Sequence, residues 1–319
     1  MKFQCAVLDD YQNVALKMAN WSRIMDVVDV KSFHNHFETE DQLAEAISEF
    51  DIVVIMRERT PFTASLFEML PKLKLLITSG MRNASIDLTA ASKHGVTVCG
   101  TASMSEPPTE LTWALLLNLA RHITQENTEL RGNGAWQSTV GADLHGKRLG
   151  LLGFGKIGGR MAIIAKAFGM EVVAWSQNLT KEQTDKLGVQ LTASKEELLE
   201  ISDFVSIHLV LSERTKGLIG KSELQLMKKS AYLINTSRAA IVDQEALIEV
   251  LHENGIAGAG VDVFEVEPLP VDHPFRKLPN ILATPHLGYV TQRNYQTYYS
   301  ETVEDIEAYL AGAVIRKIN

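Results

Sequence analysis

The stretch GLLGFGKIGGR, residues 150–160, constrains the fold more than any other part of the chain. An apolar run, RLGLLG, leads into it, and a helical pattern, GGRMAIIAKAFG, leads out. Gly153, Gly155 and Gly158 form a GxGxxG pattern at this strand–turn–helix junction. One glycine permits the tight turn, one lets a pyrophosphate approach the backbone, and one lets helix and strand pack closely. The N-terminus of the helix then presents free N–H groups to phosphate. In this context the pattern reads as a dinucleotide site.

The rest of the chain supplies a fold to match. CAVLD, VVDVKSF, DIVVIM, KLLIT and VTVC read as strands, with helical patterns such as TEDQLAEAISEF and TASLFEMLPKL between them. Asp87 reads as the N-cap of LTAASKHG, with Gly95 as its stop. A long apolar helix is expected over roughly residues 106–130. A second series follows: RLGLLG, EVVAW, FVSIHL, AYLINT, GAGVDV and NILATP as strands, then a last helix from TQRNYQ onward. This rhythm predicts an α/β protein with two doubly wound parallel-sheet units in tandem, Rossmann-like or flavodoxin-like.

Composition excludes several classes. Of 319 residues, 45% are hydrophobic and 22% charged, as in a soluble globular protein. A net charge of -8 argues against nucleic-acid binding. Cys5 and Cys99 lie in apolar runs without metal-ligand spacing, so buried thiols are expected and no metal site. No signal peptide is expected, because Asp9 and Asp10 interrupt the apolar start. The run LTWALLLNLA is too short to span a bilayer. The expectation is a cytoplasmic protein without membrane partners.

Three polar residues follow strands of the second series. Arg238 follows AYLINTS, Glu267 precedes Pro268 in GVDVFEVEPLP, and His286 follows Pro285 in ILATPHLGYV. Singly, each has a plain reading: an arginine paired with Asp243, a solvated turn residue, a packed histidine. Together, beside a dinucleotide site, they have a chemistry. Arginine holds a 2-oxo acid through paired hydrogen bonds. A protonated histidine delivers a proton to the carbonyl oxygen as hydride reaches the carbon. A neighbouring carboxylate favours charged imidazole and fixes its orientation.

These residues, together with TSGMRNASID, Glu110, GAW at 134–136, VSIHLVLSERTKGLIG and LINTSRAAIVDQEAL, resemble the D-isomer-specific 2-hydroxyacid dehydrogenase family over nearly the whole chain. The resemblance implies an Arg238, Glu267, His286 triad. It implies a substrate domain of residues 1–103 plus 287–319, a dinucleotide-binding domain of 104–286, and an active-site cleft between them. It places cofactor contacts at Lys156, Ile157, Ser176, His208, Thr236, Ser237 and Asp262, besides the glycine loop. Substrate contacts fall at Gly80, Met81 and Arg82, with Arg57 a further candidate. The resemblance also implies a homodimer, the long helix after residue 105 being the family's usual dimer element. The activity implied is hydride transfer between NAD(P)H and a small 2-oxo acid of the glyoxylate, hydroxypyruvate or 3-phosphoglycerate type. The alternative is an NAD(H)-sensing, corepressor-like binding protein on the same fold.

The chain departs from the family pattern in four places. Ala239 replaces a glycine after the arginine, Val210 stands where His-x-Pro is common, and Tyr289 replaces a glycine near the histidine. Ser176 replaces the acid that holds the adenosine ribose, leaving NAD or NADP open, with Lys181 a candidate partner for a 2′-phosphate. Arg57, Arg59 and Arg82 either serve a second anionic group of the substrate or are surface charge paired with Glu58. No regulatory domain is expected after LAGAVIRKIN.

Overall fold

The computed structural model describes residues 2–319. The chain forms two compact units, Met1–Met104 with Val290–Asn319, and Ser105–Tyr289. Leu287 and Gly288 lie in the second unit, where their N–H groups donate to Asp262 at 2.7 and 2.8 Å.

The first unit contains β1 (Phe3–Val7), β2 (Val28–Ser32), α1 (Glu40–Ile47), β3 (Ile52–Ile55), α2 (Ala64–Met69), β4 (Leu75–Thr78), α3 (Leu88–Lys93) and β5 (Thr97–Gly100). Its strands pair in parallel in the order β2-β1-β3-β4-β5. β3 and β4 are buried along their whole length, which is why they read as unbroken apolar runs rather than alternating ones. The helices start at side-chain caps. Thr39, Thr63 and Asp87 accept the N–H groups of Gln42, Leu66 and Ala90.

The second unit opens with α4 (Glu106–Arg121) and α5 (Ile123–Arg131). The single helix expected over 106–130 is thus two. His122 takes a left-handed conformation, φ 50°, and the Asn118 side chain accepts from Thr124 N–H at 2.9 Å and donates to its hydroxyl at 2.6 Å. A side-chain amide has replaced the helical ladder at the break. There follow β6 (Arg148–Leu152), α6 (Lys156–Ala167), β7 (Glu171–Trp175), α7 (Lys181–Asp185), β8 (Gln190–Leu191), α8 (Lys195–Ile201), β9 (Phe204–Ile207), α9 (Lys221–Leu226), β10 (Tyr232–Asn235), α10 (Gln244–His252), β11 (Gly258–Val261) and β12 (Ile281–Ala283). β8 was not expected from sequence, since two residues carry no periodicity. α11 (Gln292–Leu310) returns to the first unit.

The seven strands of the second unit run β12-β11-β10-β9-β6-β7-β8, again all parallel. The order reverses at the β6–β9 pair, the position where open α/β sheets bind ligands. Two apolar clusters pack this unit, one containing Leu233, Leu247 and Val261, the other Leu115, Leu151 and Ile234. α4 lies close on β11 because Gly260 lacks a side chain. A Cβ there would meet Leu119 Cδ1 at 3.1 Å and Leu115 Cβ at 3.3 Å. Burial of each such leucine contributes about 2 kcal/mol. α5 buries nothing, and beyond it Trp136 is 81% and Val140 95% exposed. No helix among the described residues is long and apolar enough to cross a membrane.

One polar brace joins α8 to α9. Glu223 accepts Lys195 Nζ at 2.8 Å and Gly220 N–H at 3.1 Å. Partial burial pushes its carboxyl up, but bonds from Lys195, Ser222 and Gly220 outweigh this and hold it at about 2. Because this lies below the unfolded value, the group's stabilisation is full above roughly pH 4.5 and is lost as pH falls through the folded value. Glu223→Gln should therefore cost about 2 kcal/mol at neutral pH. Denaturant titrations of parent and variant should show the gap closing towards pH 2; a constant gap would mean that the carboxylate charge is not what stabilises.

Candidate active site

The glycine loop follows β6, at the reversal of strand order. Gly153 has φ 100°, and a Cβ there would meet His208 O at 2.6 Å. A Cβ on Gly158 would meet Gly153 O at 2.3 Å, so this glycine lets α6 close onto the loop. Gly155 differs, because a Cβ there would meet nothing of the chain within 4 Å. The protein's own packing does not require that glycine, whereas close approach of a pyrophosphate does. Gly155 is also the N-cap of α6 and lends no side chain to the N–H groups at Lys156 and Ile157. The loop thus fits a dinucleotide phosphate on its own geometry.

Ser176 directly follows β7, and its carbonyl accepts Leu179 N–H at 3.0 Å. Lys181, considered for a 2′-phosphate, has its ammonium on both oxygens of Asp185 at 2.8 and 2.7 Å. His208 contacts the Ser206 hydroxyl through Nε2 at 2.9 Å, and burial pushes it down to about 3, so it stays neutral at working pH. Val210 stands where proline is common, and the loop is tied by hydroxyls instead. Thr215 donates to Val210 O at 2.7 Å and Ser237 donates to Leu209 O at 2.5 Å.

β10, β11 and β12 are adjacent, and their carboxyl ends carry Arg238, Glu267 and His286 in turn. His286 Nδ1 lies 2.7 Å from Glu267 Oε2, and both side chains are mostly buried. Glu267 Oε1 accepts Phe264 N–H at 3.0 Å, which orients the carboxylate. The contact fixes Nδ1 as the ring nitrogen that faces the carboxylate. His286 itself is left-handed, φ 53°, an uncommon state for a residue with a side chain.

Arg238 Nη1 donates to Ser237 O at 2.8 Å. The turn before it is held by Asn235, whose amide donates to Arg238 O at 3.0 Å and accepts Ser237 N–H at 3.1 Å. Asp243 is committed to capping α10, where it accepts Ala246 N–H at 3.1 Å. Ala239 begins a short 3-10 turn and is not among the positive-φ residues, so glycine is not needed there.

Thr236 shares a 2.7 Å hydrogen bond with Thr112 of α4. Asp262 accepts Thr284 hydroxyl at 2.7 Å besides the Leu287 and Gly288 N–H groups. Its carboxylate therefore anchors the loop that carries His286. Burial raises its pKa, and these hydrogen bonds oppose the rise. Sequence reasoning missed this anchoring role, and it missed Asn235. Their signal was only a polar residue closing or following an apolar strand.

In the first unit, Arg57 is left-handed, φ 52°, and its N–H donates to Ser79 Oγ at 3.1 Å. Its Nε lies 3.5 Å from Glu58, and it hydrogen-bonds the Tyr298 hydroxyl. The guanidinium covers Gly80, where a Cβ would meet Nη1 at 3.0 Å. Met81 and Arg82 are exposed in the next turn, and Arg59 stacks on Tyr11 at 5.0 Å.

Comparison with known proteins agrees with this geometry. Residues 113–288 match the family model of the D-isomer specific 2-hydroxyacid dehydrogenase NAD binding domain. The chain belongs to the D-isomer specific 2-hydroxyacid dehydrogenase family. It is 36% identical to D-3-phosphoglycerate dehydrogenase of Bacillus subtilis over 313 residues, covering 97% of this chain and 57% of that protein. The chain thus spans little more than half the length of that relative. Identity with glyoxylate reductase of Aeropyrum pernix is 38% over 258 residues, 78% of this chain and 77% of that one. A crystal structure of a putative D-3-phosphoglycerate dehydrogenase oxidoreductase from Ralstonia solanacearum superposes with TM-score 0.94 at 34% identity, covering 100% and 97% of the two chains.

The two glycines predict different defects. Gly155→Ala should keep the melting temperature and weaken NADH binding by about tenfold or more, since only the ligand needs the space. Gly158→Ala should lower the melting temperature by several degrees, through the clash with Gly153 O. Fluorescence titration with NADH beside thermal melts separates the two. Unchanged NADH affinity in Gly155→Ala would remove the phosphate assignment.

Proposed function

We propose that the protein interconverts a small 2-oxo acid and its D-2-hydroxy acid with NAD(H) or NADP(H). The observation that carries this reading is the 2.7 Å His286–Glu267 contact beside Arg238, on the sheet that bears the glycine loop. When bound, the nicotinamide supplies or accepts the hydride. Arg238 holds the substrate carboxylate and α-oxygen through its fork of donors. His286 Nε2 gives a proton to the carbonyl oxygen on reduction and takes it back on oxidation. Glu267 keeps Nδ1 protonated and the ring in register. The same residues serve both directions, because the 2-oxo acid and the 2-hydroxy acid share the carboxylate and the oxygen that gains or loses the proton.

For the cofactor, Gly153, Gly155 and Gly158 with Lys156 and Ile157 would hold the pyrophosphate, Ser176 the adenosine ribose, and His208, Thr236, Ser237 and Asp262 would support the remainder. The engagement of Lys181 by Asp185 favours NAD(H). For the substrate, Arg57 with Gly80, Met81 and Arg82 serves the carboxylate and its substituent. The name of the Aeropyrum pernix relative favours glyoxylate-like substrates, and that of the Bacillus subtilis relative a phosphorylated one. A homodimer formed on α4, α5 and the loop after them would cover Trp136 and Val140.

NADH and NADPH oxidation should be followed in parallel against glyoxylate, hydroxypyruvate, pyruvate, phenylpyruvate, 2-oxoglutarate and 3-phosphohydroxypyruvate. Turnover of at least one is expected, with NADH preferred. His286→Ala should reduce kcat by about a thousandfold while NADH still binds. Arg238→Lys should raise KM at least tenfold through loss of the planar fork. Absence of turnover with both cofactors, despite tight binding, would turn the reading to a dinucleotide-sensing binding protein. Trp136→Asp should give a monomer by sedimentation; an unaltered dimer would place the interface elsewhere.

A further inference from the structure

We infer that Ile318 is a positioning residue for the Gly80–Met81 loop, carried by a strap, residues 313–319, that follows α11. This rests on the reading of Gly80 and Met81 as substrate contacts. β5 pairs with β4 on one side only. The strap takes its other edge. Gly100 N–H donates to Arg316 O at 3.0 Å, Ile318 N–H to Val98 O at 2.8 Å, and Val98 N–H to the Asn319 side-chain oxygen at 2.9 Å. Cys99 and Lys317 form an antiparallel bridge between them. An edge that would otherwise present unpaired backbone groups is thereby covered.

Arg316 ties the strap to α11. It is left-handed, φ 49°, and its guanidinium donates to Asp305 Oδ1 at 2.9 Å, Glu304 Oε2 at 2.9 Å and Glu301 O at 2.8 Å. Asp305 is completely buried, and a buried carboxylate is costly without a charged partner. Glu301 reaches the other way and accepts Ala102 N–H at 2.6 Å. α11 thus holds both the strap and the chain just beyond β5.

Strap and loop meet at Gly100. A Cβ there would meet Gly80 O at 2.6 Å, Ile318 Cδ1 at 2.8 Å and Met81 Cα at 3.1 Å. The Ile318 side chain and the Gly80–Met81 backbone therefore border one small space, which glycine leaves open to them. The loop is tied to the same strand end, since Gly80 N–H donates to Thr101 Oγ1 at 3.1 Å and Thr101 N–H to Thr78 O at 3.2 Å. Ile318 is partly buried and packs against the apolar core of this unit. Trimming it opens a void beside the Gly80 carbonyl, and surrounding atoms relax partly into such a void. The displacement falls on the backbone that meets the substrate, rather than on Arg238 or His286. Loss of binding shared by ground state and transition state raises KM and leaves kcat unchanged.

The test measures KM and kcat on the best substrate of the panel, and NADH affinity by fluorescence, for Ile318→Ala, Ile318→Leu and Gly80→Ala. Ile318→Ala should raise substrate KM about tenfold, with kcat within about threefold of the parent and NADH affinity unchanged. Ile318→Leu, which keeps the side-chain volume, should bring KM back to within about threefold of the parent. Parent-like KM in Ile318→Ala would overturn the inference. So would an equal loss of NADH affinity, which would mean a general loosening of the protein. A Leu variant as weak as the Ala variant would also overturn it, because filling the space would then not be what matters. Should Ile318→Ala fail to fold, Ile318→Val, which removes only Cδ1, decides by the same criteria, with a KM rise of about threefold expected. Gly80→Ala places a methyl 3.0 Å from Arg57 Nη1 at a left-handed position. Parent-like KM in that variant would instead defeat the underlying reading of the loop.

Discussion

The buried Asp262 carboxylate holds the candidate site together. It stands just beyond β11 and binds three donors from the segment after β12, two of them backbone N–H groups. An unpaired carboxylate at that depth would cost several kcal/mol, so the bonds are demanding as well as favourable. They fix the path of residues 284–288, set His286 in a left-handed conformation and bring it to Glu267. The strain of a non-glycine residue at positive φ, about 1 kcal/mol, is small beside what this anchor contributes.

Parallel strand order supplies the larger frame. Every strand of the second sheet points the same way, so each following loop opens at one edge. Arg238, Glu267 and His286 come from three neighbouring strands and the glycine loop from β6. Residues separated by more than a hundred positions in sequence therefore share that edge. The glycines do unlike work within this frame. Gly153 and Gly158 are required by the chain's own packing, whereas Gly155 leaves room that only a ligand needs.

The departures from the family pattern have local physical explanations. Ala239 sits where no positive φ is needed. Thr215 and Ser237 tie the loop that lacks a proline at Val210. Tyr289 places a ring against the histidine where a glycine is common.

The sequence by itself determined the strand series apart from β8, the glycine loop and the candidate triad. Parallel strands buried on both faces must be continuously apolar, and a phosphate loop needs glycine at set spacings, so both leave marks readable in order along the chain. It also marked Asp87 as a helix cap, because capping is a contact over three residues. Tertiary structure decided the rest. The break of the long helix at His122 depends on an Asn118–Thr124 bond that periodicity cannot register. The anchoring by Asp262, the hold of Asn235 on the Arg238 turn, and the ring contact of Tyr289 depend on side-chain direction after folding. Hydrophobic pattern encodes which face of an element is buried; it does not encode which donor a buried oxygen meets, because that is settled only when the loops close over it.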